Sequence, residues 1–427
     1  MWKNFLSGRR IGSSKSTSET AKGLRSEFHK DYDRIIFSSA FRRLSDKTQV
    51  VPFPKSDYTR QRLTHSLEVS CVGRSLATSV YEMVRPEIGS LVSQGDFEAV
   101  VAAACLAHDI GNPPFGHFGE KAIQDWSQNH LSEPVYSSLS EAEQRDFRLF
   151  EGNAQSFRVL TRLQMSNRRG GMRLTAATLG ALIKYPRPSL VTNPRYKKHG
   201  HFQDDAELFA EVFEAAGRSA DDDGQYARHP LALLSEAADD ICYAIIDLED
   251  GCKAGLISGD EALDILEKIS PNSTGSNDMP AADRLSMGRA MVINELVQQS
   301  VQVFQDHRDQ ILQGSFEGAL VDRTAVVADY KRAKDTAFQL VFLSDDVLEQ
   351  EAAGYQAIHG LMDILSSAVL SENPNGFDKH VLRLTRIRVT DDMSAYQKLL
   401  ACTDTVSGMT DRYCVELFRK LTGHAIA

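Results

Sequence analysis

A histidine and an aspartate stand side by side at the end of an apolar stretch, and a second histidine follows nine residues later. They are His108-Asp109 and His117, with Glu120 just beyond, in the sequence H-D-I-G-N-P-P-F-G-H-F-G-E. Imidazole and carboxylate groups can hold a divalent metal, and a neighbouring pair can transfer protons. The alternative is that His108 and Asp109 are helix-end polar groups with local hydrogen bonds, the ordinary explanation of an isolated dipeptide.

Two other stretches supply partners for this pair. The sequence R-L-T-H-S-L-E carries His65 after a basic entry, and E-A-A-D-D-I-C-Y carries Asp239 and Asp240 in an otherwise apolar helical run. Two carboxylates in such a run are costly unless positive charge compensates them. A divalent metal held by His65, His108, Asp109 and one of the two aspartates would supply that charge. Such a ligand set suits Mn, Fe or Zn, and Mg less well, with positions open for water and substrate.

Basic residues gather in two segments of an acidic chain. Residues 40–62 hold six basic and two acidic side chains, a local net charge of +4, and residues 184–198 hold five basic and no acidic ones. The whole chain has a net charge of −10, which argues against a general nucleic-acid binder. The asymmetry therefore favours a phosphate-bearing substrate, although a charged loop can also be simply solvated.

The elements that must position these residues are helices, because apolar residues recur at helical spacing along most of the chain. We predict an all-α fold without a Rossmann or P-loop site, since neither glycine-rich motif occurs. Asp96 is predicted as the N-cap of the helix that ends at His108-Asp109. Residues 186–203 lack periodicity and are predicted to form a surface loop or lid. The segment V-L-R-L-T-R-I-R-V (381–389) allows one short β-hairpin.

Length and cysteine use bound the organisation of the 427-residue chain. We expect an irregular segment at residues 1–24, a core at 25–270 and a mainly helical C-terminal part at 271–427. The six cysteines form no C-x-x-C pair, and Cys71, Cys105 and Cys242 lie in apolar helical contexts. They are predicted to be reduced, buried thiols of a cytoplasmic protein. No signal peptide or membrane-spanning stretch is found.

Beyond these residues, longer words of the sequence resemble one known family. They are D-Y-D-R-I-I-F-S-S-A-F-R-R-L, K-T-Q-V, R-L-T-H-S-L-E-V, H-D-I-G-N-P-P-F-G-H-F-G-E, F-E-G-N-A-Q, L-I-K-Y-P-R, E-A-A-D-D-I-C-Y and S-G-M-T-D-R-Y, spread over residues 31–413. The set resembles the bacterial deoxyguanosine triphosphate triphosphohydrolase (dGTPase) family of the HD phosphohydrolase superfamily. The resemblance implies an HD-domain helical fold with a helical C-terminal extension.

The resemblance also assigns roles by position. It selects Asp239 over Asp240 as the fourth metal ligand, because the family places a tyrosine four residues after the ligand, where this chain has Tyr243. It implies that His117 and Glu120 are the catalytic pair near the α-phosphorus. Further positions match residues that contact the deoxyribose 3′-OH region, hold phosphates or close over the sugar: Gln49 and Asp247 for the first, and Arg62, Lys184, Tyr185 and Tyr243 for the others.

The activity implied is metal-dependent hydrolysis of deoxynucleoside triphosphates (dNTPs), dGTP preferred, to a deoxynucleoside and intact triphosphate. The metal would be Mn²⁺ or Mg²⁺, with Fe or Zn as alternatives. The resemblance further implies a homo-oligomer, a hexamer in particular, and regulation by single-stranded DNA or a dNTP. The base-facing wall is expected from residues 190–230 and 270–380 or from a neighbouring subunit. Alternatives are another HD hydrolase, such as a 5′-nucleotidase or cyclic-nucleotide phosphodiesterase, and a catalytically silent nucleotide-binding regulator.

Overall fold

The computed structural model describes residues 1–13, 25–49, 60–130, 133–276 and 278–424. Within these ranges the regular structure is helical, and extended pairing is limited to two isolated bridges, Arg10 with Thr175 and Thr48 with Gln61. The all-α prediction is therefore confirmed. Among the helices of the described ranges, none is both long and apolar enough to cross a membrane.

The α-helices are numbered in chain order. They are Trp2–Phe5 (α1), Glu27–Ile36 (α2), Ser39–Arg43 (α3), Arg62–Ile88 (α4), Gln94–Ala107 (α5), Gly116–Asn129 (α6), Pro134–Ser137 (α7), Glu141–Arg148 (α8), Gly152–Arg158 (α9), Ala176–Leu182 (α10), Ala206–Ala215 (α11), Ala232–Lys253 (α12), Gly259–Ile269 (α13), Ala281–Asp306 (α14), Arg308–Gln313 (α15), Val327–Ala337 (α16), Asp345–Leu370 (α17), Gly376–Thr385 (α18), Ala395–Ser407 (α19) and Asp411–Leu421 (α20). Two of them continue into π-helical turns, α9 at Val159–Leu163 and α16 at Phe338–Phe342.

Helix α5 lies at the centre of the largest core. Every residue from Ala99 to Ala107 is buried, because the helix is apolar on all sides and is surrounded by α2, α4, α10 and α12. Helix α12 contacts both α4 and α5 and also packs against α14 and α16. This arrangement brings the C-terminal end of α5, the first turns of α4 and the middle of α12 together.

A second core joins the C-terminal helices to α6. Helix α17 packs along α6 and against α18, α19 and α20. Trp126 of α6 and Leu361 and Leu365 of α17 are fully buried in this cluster. The helix that carries His117 and Glu120 is thus packed on a helix that begins more than 220 residues later in the chain.

Three local predictions were wrong. Ser93 caps α5, and Asp96 is the third residue of its capping box rather than the cap. Residues 381–385 are helical and form no hairpin, because Asn375 caps α18 and Val381 is buried in the C-terminal core. The start of the chain is not irregular throughout: α1 buries Trp2 and Phe5, while residues 14–24 lie outside the described ranges.

The cysteine prediction holds in part. All six thiols are free, and Cys105, Cys242, Cys402 and Cys414 are buried. Cys71 is exposed, because it faces away from the apolar side of α4. An apolar sequence context alone therefore misplaced it.

Candidate active site

Four side chains from three helices meet beside the end of α5. His65 lies on the first turn of α4, His108 and Asp109 follow α5, and Asp239 lies in the middle of α12. The Oδ1 atom of Asp239 lies 3.2 Å from His65 Nε2 and 3.4 Å from His108 Nε2. His108 Nε2 also lies 3.5 Å from Asp109 Oδ2. The structure therefore brings together the four residues predicted as metal ligands.

The orientation of His108 suits metal binding. Its Nδ1 lies 2.7 Å from the carbonyl oxygen of Cys105, so Nδ1 carries the proton and donates it. In the neutral imidazole, the Nε2 lone pair then points into the cluster, towards Asp239 Oδ1 at 3.4 Å. A backbone carbonyl that fixes the second nitrogen is the usual support of a metal-ligating imidazole.

The charges in the cluster depend on each other. Burial alone would lower the pKa of His108, but the carboxylates of Asp109 and Asp239 raise it to about 9. Burial would raise the pKa of Asp109, but the guanidinium of Arg62 and the two imidazoles lower it. A divalent cation stabilises the same carboxylates and favours neutral imidazoles.

The residues present fit a divalent metal. Donor atoms of His65, His108 and Asp109 all lie within 4.8 Å of one another, and Asp239 Oδ1 faces both imidazoles. Two nitrogen and two carboxylate donors match borderline or hard ions and provide no preference for a soft one.

His117 and Glu120 form a second pair on the first turns of α6. His117 Nδ1 lies 2.8 Å from Glu120 Oε2, and Glu120 Oε1 accepts a 2.7 Å hydrogen bond from the backbone N–H of Gly152. A Cβ on Gly152 would lie 2.1 Å from Asn112 Oδ1 and 2.8 Å from Glu120 Oε1, so any larger residue would displace both side chains. Glu120 is thus fixed behind His117 and holds the proton on Nδ1.

The turn before α6 controls where this pair points. Phe115 precedes the helix in the left-handed conformation, with φ of 60°, and Gly116 follows with φ of 56°. A Cβ on Gly116 would lie 2.5 Å from Arg62 Nη2, so glycine lets Arg62 approach the backbone. Arg62 in turn forms an ion pair with Asp109, which links the turn to the metal cluster.

Most of the predicted site residues line one cavity with a volume of about 560 Å³. Its wall includes Gln49, Arg62, His65, His108, Asp109, His117, Lys184, Tyr185, Asp239 and Tyr243. Two predicted residues do not reach this wall. Glu120 lies behind His117, and Asp247 is buried one turn beyond Tyr243 on α12.

Four lysines add positive charge to the cavity wall. Lys184, Lys197, Lys198 and Lys334 reach its wall. Lys198 Nζ lies 2.8 Å from Glu151 and 3.8 Å from Glu120, and Lys184 Nζ lies 3.5 Å from Glu236. Burial would lower the pKa of Lys198, but these carboxylates raise it, so the ammonium form is retained.

The two basic segments contribute less positive charge to the cavity wall than their composition indicates. In residues 40–49 and 60–62, Arg62 faces the cavity, whereas Arg60 forms ion pairs with Glu68, Glu249 and Asp250. Lys55 and Asp57 lie outside the described ranges. The net charge of a segment does not tell which side chains face the cavity and which form ion pairs within the protein.

Residues 186–203 were predicted as a surface loop or lid. Residues 186–202 are irregular and Gln203 begins a short 3₁₀ turn, but the segment is not simply a surface loop. Arg187 and His199 are buried, and Arg187 donates hydrogen bonds to the carbonyl oxygens of Tyr196 and Pro188. His199 bonds the carbonyl oxygen of Leu149. These contacts fix the loop, and Lys197 and Lys198 extend from it into the cavity wall.

One wall of the cavity comes from residues 270–380, where a base-facing wall was expected, but no residue of this wall was named from the sequence. Phe338, Phe342, Leu343 and Glu351 line it, from the π-helical turn after α16 and from α17. The Oε2 atom of Glu351 is buried without a hydrogen-bond partner among the described residues. Burial raises the pKa of this carboxyl to about 7, against the opposing effect of His117. Its sequence context, D-D-V-L-E-Q-E, reads as an ordinary helix start and gives no signal of a site.

Comparison with protein families agrees with this geometry. Residues 62–178 match the HD domain, and residues 320–420 match the phosphohydrolase-associated domain. The first range contains His65, the His108-Asp109 pair, His117 and Glu120, and the second contains the cavity wall from Phe338 onwards. Fold and site together define a phosphohydrolase of the HD class.

Proteins that are similar over nearly the whole chain show which family within the HD class it belongs to. A deoxyguanosinetriphosphate triphosphohydrolase-like protein of Synechocystis sp. is 39% identical, over 99% of this chain and 99% of its own. One of Pseudomonas aeruginosa is 38% identical over the same shares. The deoxyguanosinetriphosphate triphosphohydrolase of Salmonella arizonae is 32% identical over 92% of this chain and 93% of its own. The chain belongs to the deoxyguanosinetriphosphate triphosphohydrolase family.

Proposed function

We propose that this protein hydrolyses dNTPs, with dGTP preferred, to a deoxynucleoside and intact inorganic triphosphate. The observation that carries the proposal is that one cavity joins the four residues of the metal cluster, His117 with Glu120 behind it, and four lysines. The names of the full-length relatives support the same reaction. Water attacks the α-phosphorus, the bond from phosphorus to O5′ breaks, and O5′ leaves with a proton.

A divalent metal, Mn²⁺ or Mg²⁺ with Fe or Zn as alternatives, would be held by His65, His108, Asp109 and Asp239. When bound there, such an ion supplies Lewis-acid polarisation of the α-phosphate and a lowered pKa for water. Arg62 and Lys184 neutralise the charge of the polyphosphate from the protein side. Lys198 and Tyr185 extend this contact along the cavity wall. Preorganised charges of this kind stabilise a transition state without reorganisation.

His117 supplies the proton. The hydrogen bond that His117 donates to the Glu120 carboxylate raises the pKa of His117 and favours its protonated form. With Nδ1 fixed against Glu120, Nε2 is the nitrogen that reaches into the cavity and protonates the leaving O5′. Glu120 acts by orienting His117 and stabilising its charged form.

The sugar lies against Gln49 and Tyr243. The Oε1 atom of Gln49 is buried at the cavity wall without a hydrogen-bond partner among the described residues, and it can accept from the 3′-OH. Tyr243 packs against C2′ and leaves no room for a ribose hydroxyl. Its ring is held by stacking on Phe342, with centroids 5.8 Å apart. Asp247 supports this region from behind the wall.

The base lies towards Phe338, Phe342 and Glu351. Aromatic rings stack on any base, so they supply affinity without selection. In its ionised form, Glu351 can accept from both N1–H and N2–H of guanine, a pair of adjacent donors that adenine lacks. This pairing is the reason for proposing dGTP as the preferred substrate.

Product analysis tests the proposal. The four dNTPs and GTP are incubated with Mn²⁺ or Mg²⁺, and chromatography separates triphosphate, pyrophosphate and orthophosphate. We expect deoxynucleoside and triphosphate from the wild type and loss of both in His117→Ala. Orthophosphate from nucleoside monophosphates, or opening of a cyclic nucleotide, would favour another HD hydrolase. Binding of dNTPs without turnover in any metal would favour a silent regulator.

Assembly and location complete the proposal. We expect a cytoplasmic homo-oligomer, a hexamer in particular, with single-stranded DNA or a dNTP as regulator. Light scattering of the purified protein measures the subunit number directly. Activity measured with and without single-stranded DNA, and at two dNTP concentrations, tests regulation. A monomer with unchanged kinetics would contradict this part alone.

A further inference from the structure

A buried carboxylate at the start of α20 connects two segments of the cavity wall. Asp411 belongs to the sequence S-G-M-T-D-R-Y, and only 3% of it is exposed. Its Oδ2 accepts hydrogen bonds from the backbone N–H of Thr48, at 2.8 Å, and from the Thr48 hydroxyl. Its Oδ1 accepts a 3.1 Å hydrogen bond from the backbone N–H of Phe115. We call Asp411 with these two partners the Asp411 clamp.

Each partner adjoins a residue proposed to act on the substrate. Thr48 is followed by Gln49, whose side chain reaches the cavity. Phe115 is the left-handed residue that starts α6, two positions before His117. A bulky residue in this backbone region is strained and persists only when its surroundings enforce the conformation.

The C-terminal helices supply that enforcement. The Phe115 ring packs against Gly354 of α17, where a Cβ would lie 2.5 Å from the ring. A parallel link lies nearby, since Lys47 Nζ donates to the carbonyl oxygens of Asn112, at 2.5 Å, and of Ser407, at 2.7 Å. The turn after His108-Asp109 is therefore held from α17, α19 and α20.

We propose that Asp411 is a positioning residue for catalysis, which fixes the Phe115 turn and thereby aims His117, while it holds Gln49 at the sugar. The inference rests on the proposed function. It assigns the C-terminal part a direct share in the geometry of the active site, beyond its share in the core.

The proposed role of Asp411 depends on its two acceptor oxygens and not on the size of its side chain. Three donors converge on Asp411, and both of its oxygens accept. An asparagine has the same shape but one acceptor atom, so its NH₂ group would face either Thr48 or Phe115 donor to donor. Asp411→Asn therefore breaks one arm of the clamp with little loss of packing.

The test compares Asp411→Asn with Leu417→Ala, which removes a buried side chain from the same helix and destabilises the C-terminal core without touching the clamp. Full-length proteins are compared by melting temperature and by steady-state release of triphosphate from dGTP. We expect kcat to fall about tenfold or more in Asp411→Asn, with a smaller change in KM. Leu417→Ala should keep kcat within about threefold even where its melting temperature falls further.

Thr48→Val gives a second route if Asp411→Asn does not fold, because it removes one hydrogen bond from the other side. Thr48→Val alone should lower kcat more than Leu417→Ala does. Where Asp411→Asn also folds, the losses of kcat in the two variants should be non-additive, because both substitutions act on the hydrogen bonds of one carboxylate. Additive losses of kcat would overturn the positioning role. An equal loss of kcat in Leu417→Ala at the same melting temperature would overturn it too. Neither result affects the proposed function, as long as the wild type releases triphosphate. No triphosphate from the wild type would overturn the proposed function, and the inference with it.

Discussion

His117 and Glu120 lie 2.8 Å apart but in opposite environments: 80% of the His117 side chain is exposed, against 6% of Glu120. The imidazole therefore faces the cavity while its partner is fixed in the protein. Gly152 N–H and Lys198 hold the carboxylate from the other side. An exposed acid–base group with a buried orienting partner is what proton transfer to a substrate requires.

The pair predicts a pH effect. His117 must be protonated to donate to O5′, so activity falls as the pH rises through its pKa. Glu120 raises that pKa, and Glu120→Gln removes the carboxylate. We expect the alkaline limb of kcat/KM to move to lower pH in Glu120→Gln. Asp125→Asn, which alters a carboxylate on the same helix away from His117, should leave the limb in place. An unmoved limb in Glu120→Gln would contradict the role of His117 as acid.

The metal cluster predicts a difference between two adjacent aspartates. Asp239 Oδ1 faces both imidazoles, whereas Asp240 lies beside the half-buried Lys184 and the buried Glu236. Asp239→Asn should lose the bound metal on dialysis, and added Mn²⁺ should no longer raise its melting temperature. Asp240→Asn should keep both properties. Elemental analysis per subunit measures the first, and the reverse pattern would show that Asp240 is the ligand.

Glu351, in the cavity wall formed by the π-helical turn after α16 and by α17, predicts which base is preferred. In Glu351→Gln one carboxylate oxygen becomes an NH₂ group, which opposes a guanine donor. We expect kcat/KM for dGTP to fall about tenfold relative to dTTP, because an unmatched buried polar group is costly. Glu349→Gln, at an exposed position of the same helix, is the matched control. An unchanged ratio among the four dNTPs would remove Glu351 from base recognition.

The buried Lys47 predicts a pH dependence of stability. Burial, with Arg43 and Arg62 nearby, lowers the pKa of Lys47 from 10.5 to about 7. Folding therefore favours the neutral amine. Because the unfolded chain still binds the proton in this range, the contribution of Lys47 to the free energy of unfolding increases as the pH rises from about 7 to 10.5.

Lys47→Met lacks this titration. The difference in unfolding free energy between wild type and variant should grow with pH, by at most about 1.4 kcal/mol per pH unit. Urea unfolding at a series of pH values measures it. Lys121→Met, at an exposed lysine of α6, should show no such trend. A flat or falling difference for Lys47→Met would contradict the lowered pKa.

The fold class and the metal cluster could be predicted from the sequence because short sequence motifs indicate both. His65, the His108-Asp109 pair and Asp239 each stand in a distinctive helical word, and the structure brings them together. Their assigned roles, like the domain boundaries at residues 24 and 270, stay predictions.

Other features depended on contacts between distant parts of the chain. Glu351 reaches the cavity only because α17 packs along α6, and Asp411 meets Phe115 across almost 300 residues. The hairpin prediction at residues 381–389 failed for a related reason. β-Branched residues favour strands locally, but a capping box at Asn375 and burial of Val381 fix a helix.

The most direct test of the central claim is hydrolysis of dGTP in H₂¹⁸O with mass analysis of both products. Attack of water at the α-phosphorus places one ¹⁸O atom in the triphosphate and none in deoxyguanosine. We expect that distribution from the wild type, and no product from His117→Ala. Label in the 5′-OH of deoxyguanosine, or release of dGMP with labelled pyrophosphate, would contradict attack at the α-phosphorus with deoxyguanosine as the leaving group.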